Sequence, residues 1–244
     1  MVKYYTAKVF QKRKTGQIMH CKAGICRVQT KEAAIVTEEI SNVIAALERN
    51  SIKGLYAENS AEACRLVREL LPKGAVISSG GSVSLRQSGV YDIITGSDYN
   101  YLDRSSDPEA VKKAFTADYY FMGCNAVTED GVLYNVDGYA NRVSALAFGP
   151  NRVIIIAGIN KIVKDLDEAV YRVKTVAAPL NAKRLGCDTY CAKTGRCVSL
   201  LKEHPQMSDG CDSEKRICCT YTVAARQRIK DRITVIIVNE ELGL

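Results

Sequence analysis

The chain has 244 residues, enough for one large α/β domain or two small ones. Apolar residues make up 47% of it and charged residues 25%, which is ordinary for a globular protein and allows a core without disulfide staples. The longest aliphatic run, Val153 to Ala157, is far shorter than the roughly 18 residues of a membrane helix. The N-terminus has no hydrophobic signal segment, so we expect a cytoplasmic protein.

The net charge of +7 is unevenly distributed along the chain. Residues 1–31 carry +8 and residues 183–232 carry +5, so the remainder carries −6. A basic arm can bind nucleic acid, but it is more often a solvated tail or a contact for an acidic or phosphorylated partner. Trp is absent and Phe is scarce, which disfavours base stacking. Nucleic acid is therefore not the expected partner.

Helical and strand patterns alternate after an N-terminal arm, 1–30, that shows no clear period. In chain order, the patterns predict a helix over 31–50, a strand over 52–57, a helix over 60–71, a strand over 75–79, a helix over 82–87, a strand over 99–102, a helix over 107–117, a strand over 118–123, a hairpin over 128–138, a helix over 139–148, a strand over 152–157, a helix over 166–178 and a strand over 233–238. This alternation is typical of a doubly wound, mostly parallel α/β sheet. We expect one such domain over 31–244, with a cysteine-rich insertion at 186–220.

A glycine loop is the first candidate for a ligand site. Gly80, Gly81 and Ser82 follow a predicted strand and precede a helix. Glycine lets backbone N–H groups approach an anion, and ligands of open α/β sheets bind at the carboxyl ends of strands. A tight turn that uses glycine only for its geometry is the alternative. Lys161 follows another strand and could reach an anion at the same edge, although a solvated lysine fits equally well.

The segment 125–142 is richer in polar groups than a hairpin requires. Glu129 could act as a general base or nucleophile, and Asn141 with Arg142 could hold a carboxylate or phosphate. Turn chemistry and helix capping explain Asp130 and Asp137, but they explain Arg142 poorly. We therefore favour a site here, with the following candidate residues: Asn125, Glu129, Asn135, Asp137, Asn141 and Arg142.

Six of the 10 cysteines lie between residues 187 and 219. Clustered thiols without a secretory signal indicate a metal or redox site more often than a disulfide framework. No pair has the CxxC spacing of a zinc ribbon or the dense run of a ferredoxin cluster, so the spacing does not name the metal. Free thiols or a disulfide on a loop remain the alternative. The candidate ligands for zinc or an iron–sulfur cluster are Cys191, Cys197, Cys211 and Cys218.

Several enzyme classes are disfavoured by what the sequence lacks. The two histidines, His20 and His204, are not part of a recognisable Ser-His-Asp arrangement. There is neither a P-loop nor a GxGxxG motif, which argues against an ordinary NTPase or a classical dinucleotide fold. Cys21 and Cys26 form a second, sparse pair, and Cys64 with Cys124 lies in apolar patterns that suggest the core.

Four stretches resemble the LUD-domain family, whose name comes from lactate-utilisation proteins. They are GGSVSLRQSG (80–89), GCNAVTEDGVLYNVDGYANRVSALAFGP (123–150), VIIIAGINKIVKDLDEAVYRVKTVAAPLNAKRL (153–185) and CAKTGRC…CDSEKRIC (191–218). The resemblance covers about residues 35–244. It implies a fold of the NagB/RpiA/CoA-transferase type and a cytosolic system that oxidises L-lactate to pyruvate with iron–sulfur partner proteins. The chain looks like a stand-alone member with the C-terminal cysteine motif.

Two departures and one further likeness accompany this resemblance. The family motif keeps its middle cysteines close, whereas 13 residues separate Cys197 from Cys211 here. The basic arm also lies outside the matching region. Thr128-Glu129-Asp130-Gly131 is similar in form to the Ser-Glu-Asn-Gly motif of family I CoA-transferases, whose glutamate attacks an acyl-CoA thioester. Glu129 would then be a carboxylate nucleophile.

The sequence leaves three functions open. The first is a member of a lactate-type oxidation system that binds a small anionic or phosphorylated metabolite, with a cysteine-bound metal nearby. The second is a non-catalytic accessory subunit that docks an iron–sulfur protein through its basic arm and cysteine segment. The third is a CoA-transferase-like or sugar-phosphate isomerase-like enzyme. Domains of this family type often self-associate into homo-oligomers, but the sequence shows no exposed apolar stripe that would prove it.

Overall fold

The computed structural model describes residues 31–107 and 109–244, with side chains from residue 38 onward. The basic arm, including Cys21 and Cys26, lies outside the described residues. The strands, in chain order, are β1 Lys53–Ala57, β2 Val76–Ser79, β3 Asn100–Tyr101, β4 Tyr119–Gly123, β5 Ala126–Thr128, β6 Leu133–Asp137, β7 Arg152–Gly158, β8 Ile162–Val163, β9 Thr220–Ala224 and β10 Ile233–Val238. The helices are α1 Lys31–Arg49, α2 Ser60–Leu70, α3 Val83–Gln87, α4 Val90–Ile94, α5 Ala110–Lys113, α6 Asn141–Ala147, α7 Leu166–Arg172, α8 Ala178–Arg184 and α9 Tyr190–Thr194.

Six strands form a fully parallel sheet in the order β1-β10-β7-β4-β2-β3. Its central strands bury both faces, so their side chains alternate between two cores. On β7, Val153 and Ile155 pack on the side of α1 and α6, whereas Ile154 and Ile156 pack on the side of α2, α3 and α4. Strands buried on both sides read as continuous apolar runs. The prediction of a doubly wound, mostly parallel α/β fold is confirmed.

A second, four-stranded sheet in the order β8-β5-β6-β9 lies beside the first. The hairpin of β5 and β6 matches the predicted one at 128–138, and β6 also pairs with β9 over five residues. One face of this small sheet joins the main core through Val127 and Leu133. The other face packs Tyr134 and Val136 against α7 and the turn that follows it. The cysteine-rich segment is therefore tied to the hairpin by β9, which the sequence did not predict.

The helix predicted over 166–178 extends further, to Arg184, in three parts. Between α7 and α8, residues Val173–Ala177 form a π-helical segment. Pro179 occupies the first turn of α8. Its missing N–H and its ring would break a continuous α-helix, but the wider π turn before it changes the hydrogen-bond pattern at that point. The proline therefore marks a change of winding instead of the end of the helix.

Candidate functional site

A cleft of about 660 Å³ opens at the carboxyl edge of the main sheet. Its walls are formed by the segments that follow β2, β4 and β6, by α8, and by Lys161, which lies three residues after the end of β7. The cysteine-rich segment contributes residues 214–217 and Cys219 to the remaining side. The cleft thus lies where the fold places ligands in open α/β sheets.

The glycine loop supplies one wall of the cleft. Gly81 and Ser82 line it, whereas the Gly80 N–H donates to the Phe121 carbonyl at 2.9 Å and is used within the sheet. Ser82 caps α3, since its Oγ accepts from the Leu85 N–H at 3.3 Å. Close packing explains the glycine that ends β4, because a Cβ at Gly123 would lie 2.7 Å from Ser82 Oγ. The loop is therefore seated directly on β4.

Lys161 is the most unusual charged residue of the cleft. It is only 4% exposed, and its Nζ donates to Ser84 Oγ at 2.9 Å. Within the described residues, no Asp or Glu side chain lies within ion-pair distance of this ammonium. Burial lowers the pKa of Lys161 from its ordinary 10.5 to about 8; the Cys124 thiol opposes this shift, and Arg172 and Arg142 add to it. A buried cation without a counter-ion is costly, and an anion in the cleft would relieve that cost.

The Arg142 side chain holds together the chain segments beside the cleft. Its Nη1 donates to Gly123 O and Asn135 Oδ1 at 3.2 and 2.9 Å, and its Nη2 donates to Asn125 Oδ1 and Val136 O at 3.0 and 2.6 Å. The two asparagines accept further backbone N–H bonds, Asn125 from Val136 and Asn135 from Asn125. These three predicted residues are brought together, but as a network that joins β4 to β6. The guanidinium has its terminal nitrogens occupied by protein acceptors.

Asp137 and Asn141 complete the predicted polar segment. Asp137 lines the cleft, and its Oδ2 accepts from the backbone N–H groups of Arg142 and Val143, the capping role that a sequence reading allowed. Asn141 instead faces a small neighbouring cavity together with Arg104 and Tyr120. The structure thus separates Asn141 from the main cleft.

Glu129 lies away from this cleft. It is exposed at the start of the β5–β6 turn, and its N–H donates to the Val163 carbonyl at 2.8 Å. The same turn packs against the end of α1, where Asn50 Nδ2 donates to the carbonyls of Asp130 and Gly131. The residues around Glu129 are therefore those of a turn docked on a helix, and Glu129 is not among the residues that line the cleft.

Three basic residues that sequence reasoning did not select also line the cleft: Arg184, Lys215 and Arg216. With Lys161 and Arg142 they make five basic side chains against two acidic ones, Asp137 and Glu214. The basic character of residues 183–232 was the signal available in the sequence. Only the fold shows that these residues line the same cleft as the glycine loop, where their charge favours a negatively charged ligand. The Arg216 guanidinium itself donates to the Cys218, Cys211 and Ser208 carbonyls.

The four predicted metal-ligand cysteines line one small cavity of about 20 Å³. Burial, together with the neighbouring Cys191 and Cys197, raises the pKa of the Cys218 thiol to about 12. Cys187 and Cys219 line the ligand cleft instead, and Cys124 is buried with its Sγ against the Ala126 carbonyl. In the described part of the chain, no three His, Cys, Asp or Glu side chains stand as a ready-made ion site. The thiols share a cavity without converging at ligation distance.

Tyr134 gives this cavity a second unusual feature. The side chain is fully buried and lines the cavity beside the four cysteines. Its Oη is the buried side-chain polar atom that has no hydrogen-bond partner among the described residues. An unsatisfied buried hydroxyl is costly and needs an explanation. A thiolate or sulfide acceptor in the cavity would supply the missing partner. The four thiols and this hydroxyl are therefore chemically suited to surround a metal centre.

The fold and the cleft define an α/β protein with a basic cleft at the carboxyl edge of its sheet. The sequence model of the LUD domain family matches residues 40–238. The chain belongs to this family, which is associated with lactate utilisation. A crystal structure at 1.70 Å resolution of a DUF162 family protein from Deinococcus radiodurans is similar, with 16% sequence identity, a TM-score of 0.43, and coverage of 84% of this chain and 96% of the other. Comparison with curated proteins gives no match. Among residues 31–107 and 109–244, no helix is long and apolar enough to cross a membrane.

Proposed function

We propose that this LUD-domain protein binds a small carboxylate- or phosphate-bearing metabolite in the cleft, as part of a cytoplasmic system that oxidises L-lactate or a similar organic acid. The buried ammonium of Lys161, which has a hydroxyl partner but no Asp or Glu partner among the described residues, carries this proposal. Arg184 and Lys215 at the exposed rim would attract the anion, and Ser82 would offer it a hydroxyl. The family association with lactate utilisation supports the choice of organic acids.

Calorimetric titration with L-lactate, pyruvate and inorganic phosphate tests this proposal. We expect at least one of them to bind, and Lys161→Met to weaken that binding by about tenfold or more, because one buried charge pair is lost. Lys164→Met is the matched control, since Lys164 is exposed three residues further along. Failure of all three anions to bind, or equal binding by both variants, would contradict the proposal.

A cysteine-ligated metal is a second, independent part of the proposal. Four thiols and the unpaired Tyr134 hydroxyl in one cavity support it. A volume of about 20 Å³ suits one ion more readily than a multi-iron cluster, because a single water already needs about 10–15 Å³. Zinc would need the coordinating sulfurs at about 2.3 Å from one ion, and an iron–sulfur cluster would need a larger cavity.

Anaerobic purification followed by metal analysis and a visible spectrum tests the metal centre. We expect one zinc, or iron with sulfide and a coloured spectrum, and we expect Cys218→Ser to lose most of it. Cys219→Ser is the matched control, because Cys219 is the adjacent, exposed cysteine and does not line the cavity. Metal-free wild-type protein, or equal metal content in both variants, would show that the thiols are free or disulfide-forming groups.

An accessory role remains the alternative, in which the cysteine segment docks an iron–sulfur partner. The exposed apolar side chains Leu201 and Met207 on that segment favour it, together with the exposed basic Lys193 and Arg196. An enzyme should turn over a substrate alone, whereas an accessory subunit should be inert alone and co-purify with its partner. The CoA-transferase-like alternative gains no support from the geometry, because Glu129 is outside the cleft.

A further inference from the structure

The Lys161–Ser84 pair at the base of the cleft has the composition of a reactive amine and a proton relay. Lys161 Nζ lies 2.9 Å from Ser84 Oγ, and Ser84 is 1% exposed. Both residues nevertheless line the cleft. Ser84 Oγ also donates to the Leu242 carbonyl at 3.4 Å. The hydroxyl thus accepts a hydrogen bond from Nζ and donates one at the same time, which is the hydrogen-bonding capacity that a relay requires.

The charges around Lys161 favour its neutral form. The titratable and charged groups that face it are the Cys124 thiol after β4, Arg142 on α6 and Arg172 on α7, with the uncharged Ser84 on α3. Two of these are cations, and no Asp or Glu side chain of the described residues pairs with the amine; the C-terminal residues Gly243 and Leu244 also lie against this end of the cleft. Desolvation and neighbouring cations are the two means by which proteins make a lysine amine nucleophilic toward carbonyl carbons. Arg172 is held in place by bonds to the Asn160 and Asn125 carbonyls at 3.0 and 2.8 Å.

We propose that Lys161 condenses reversibly with the carbonyl carbon of a small 2-oxo acid held in the cleft, with Ser84 as the proton relay. This inference rests on the proposed anion site, because the basic lining would hold the carboxylate while the carbonyl faces Nζ. The neutral amine adds to the carbonyl carbon and forms a carbinolamine. Two protons pass from nitrogen to oxygen through the Ser84 hydroxyl: the first completes the carbinolamine, and the second lets the oxygen leave as water. The product is an imine; no oxidant or reductant is consumed.

Reductive trapping tests the inference with the intact protein. The protein is incubated with pyruvate, reduced with borohydride, and examined by intact-mass spectrometry and peptide mapping. We expect a single stable adduct on Lys161, no adduct with L-lactate, which has no carbonyl, and none in Lys161→Met. Lys164→Met should react like the wild type. Trapping should become faster as the pH rises toward about 8 and then level, since the neutral amine is the reacting form.

The role of Ser84 has its own readout. At saturating pyruvate, where a change in affinity no longer limits the rate, Ser84→Ala should form the adduct at least about tenfold more slowly, the size expected for loss of a positioned proton relay. An unchanged rate would overturn the relay.

The outcomes separate this inference from the proposed function. If L-lactate binds in a Lys161-dependent manner but pyruvate leaves no adduct, the imine chemistry is wrong and the anion site stands. Adducts spread evenly over exposed lysines would also overturn it. If neither acid binds and no adduct forms, both proposals fail. Because the trapping is read first on the wild type, a poorly folded variant does not prevent the decision.

Discussion

At the scale of single residues, Lys161 links the proposed ligand site to the pH dependence of stability. Its pKa is about 8 in the folded protein and near 10.5 when the side chain is solvated. Between these values the unfolded chain binds more protons than the folded one, so stability rises with pH through this window. Below about pH 8 both states are protonated and the folded state bears the full cost of the buried charge. That cost is on the order of 3 kcal/mol.

We therefore expect Lys161→Met to be more stable than the wild type at about pH 7 and to lose this advantage at about pH 10. Denaturant unfolding of both proteins at the two pH values measures the difference. Comparing the two proteins cancels the titration of tyrosines and cysteines in the same range. Equal pH dependence in the two proteins would show that Lys161 is solvated or paired. A bound anion should reduce the difference, since it stabilises the charged lysine.

Tyr134 permits a prediction that depends on what fills the cysteine cavity. With no acceptor present, Tyr134→Phe removes an unsatisfied buried hydroxyl and should stabilise the protein by about 1 kcal/mol. With metal-bound thiolates present, the same change removes a hydrogen bond to sulfur and should lower metal affinity instead. Thermal unfolding before and after chelation, together with metal titration, distinguishes these cases. A variant that is destabilised equally in both states would indicate a packing role alone.

At the scale of elements, the β5–β6 turn shows how a glycine docks a hairpin on a helix. Gly131 has φ +80°, and a Cβ there would lie 2.7 Å from backbone atoms of Ala46 and Leu47 in α1. Gly74 has φ +77° but open space around it. Gly74→Ala should therefore cost only the backbone strain, about 1–2 kcal/mol. Gly131→Ala adds the steric conflict, a further roughly 1–3 kcal/mol.

Thermal unfolding of the two glycine variants measures this difference. We expect Gly131→Ala to have the lower melting temperature, with the excess reporting the turn–helix contact. If the two variants have the same melting temperature, α1 does not contact the turn as closely as the structure shows. The comparison is informative because both substitutions carry the same left-handed strain.

The elements that the sequence predicts well are those whose burial is simple. Strands β7 and β10 are buried on both faces and read as apolar runs, and α2 has an Asn59 cap and a clear apolar stripe. Of the small sheet, the sequence predicted the β5–β6 hairpin but neither β8 nor β9. β8 has two residues, and β9 has no fully buried side chain, so neither shows a usable period. The winding change before Pro179 depends on hydrogen bonding, which residue patterns do not encode.

At the scale of the whole molecule, the site is assembled from segments far apart in sequence. The loop at 80–82 and Lys161 were predictable, because both follow strands whose carboxyl ends meet at one edge. Arg184 and Arg216 were not, since they reach the cleft from α8 and from the folded-back cysteine segment. Arg142 was selected as a ligand-binding charge, but its side chain donates to Asn125 and Asn135, which were also predicted, and to two backbone carbonyls. Sequence pattern thus identified the polar cluster without distinguishing ligand groups from structural braces.

Lys174 makes the clearest connection between the cysteine segment and the body of the protein. It is 5% exposed, and its Nζ donates to Ser199 Oγ at 2.7 Å and to the Gln206 and Asp209 carbonyls at 2.9 Å each. Its own carbonyl accepts from the Cys197 N–H at 2.8 Å. One side chain on the π segment therefore fixes three separate points of the loop that carries the cysteines.

Replacing Lys174 should release that loop while the main sheet stays intact. Loss of these charge-assisted bonds should cost about 2 kcal/mol of local stability, so amide exchange over residues 197–211 should accelerate roughly thirtyfold in Lys174→Met. Exchange on β7 and β10 should not change. Lys183→Met, on the exposed side of α8, is the control and should exchange like the wild type. Uniform acceleration across the whole protein would mean that the cysteine segment and the sheet unfold as one unit, and that Lys174 stabilises the molecule globally instead of anchoring one loop.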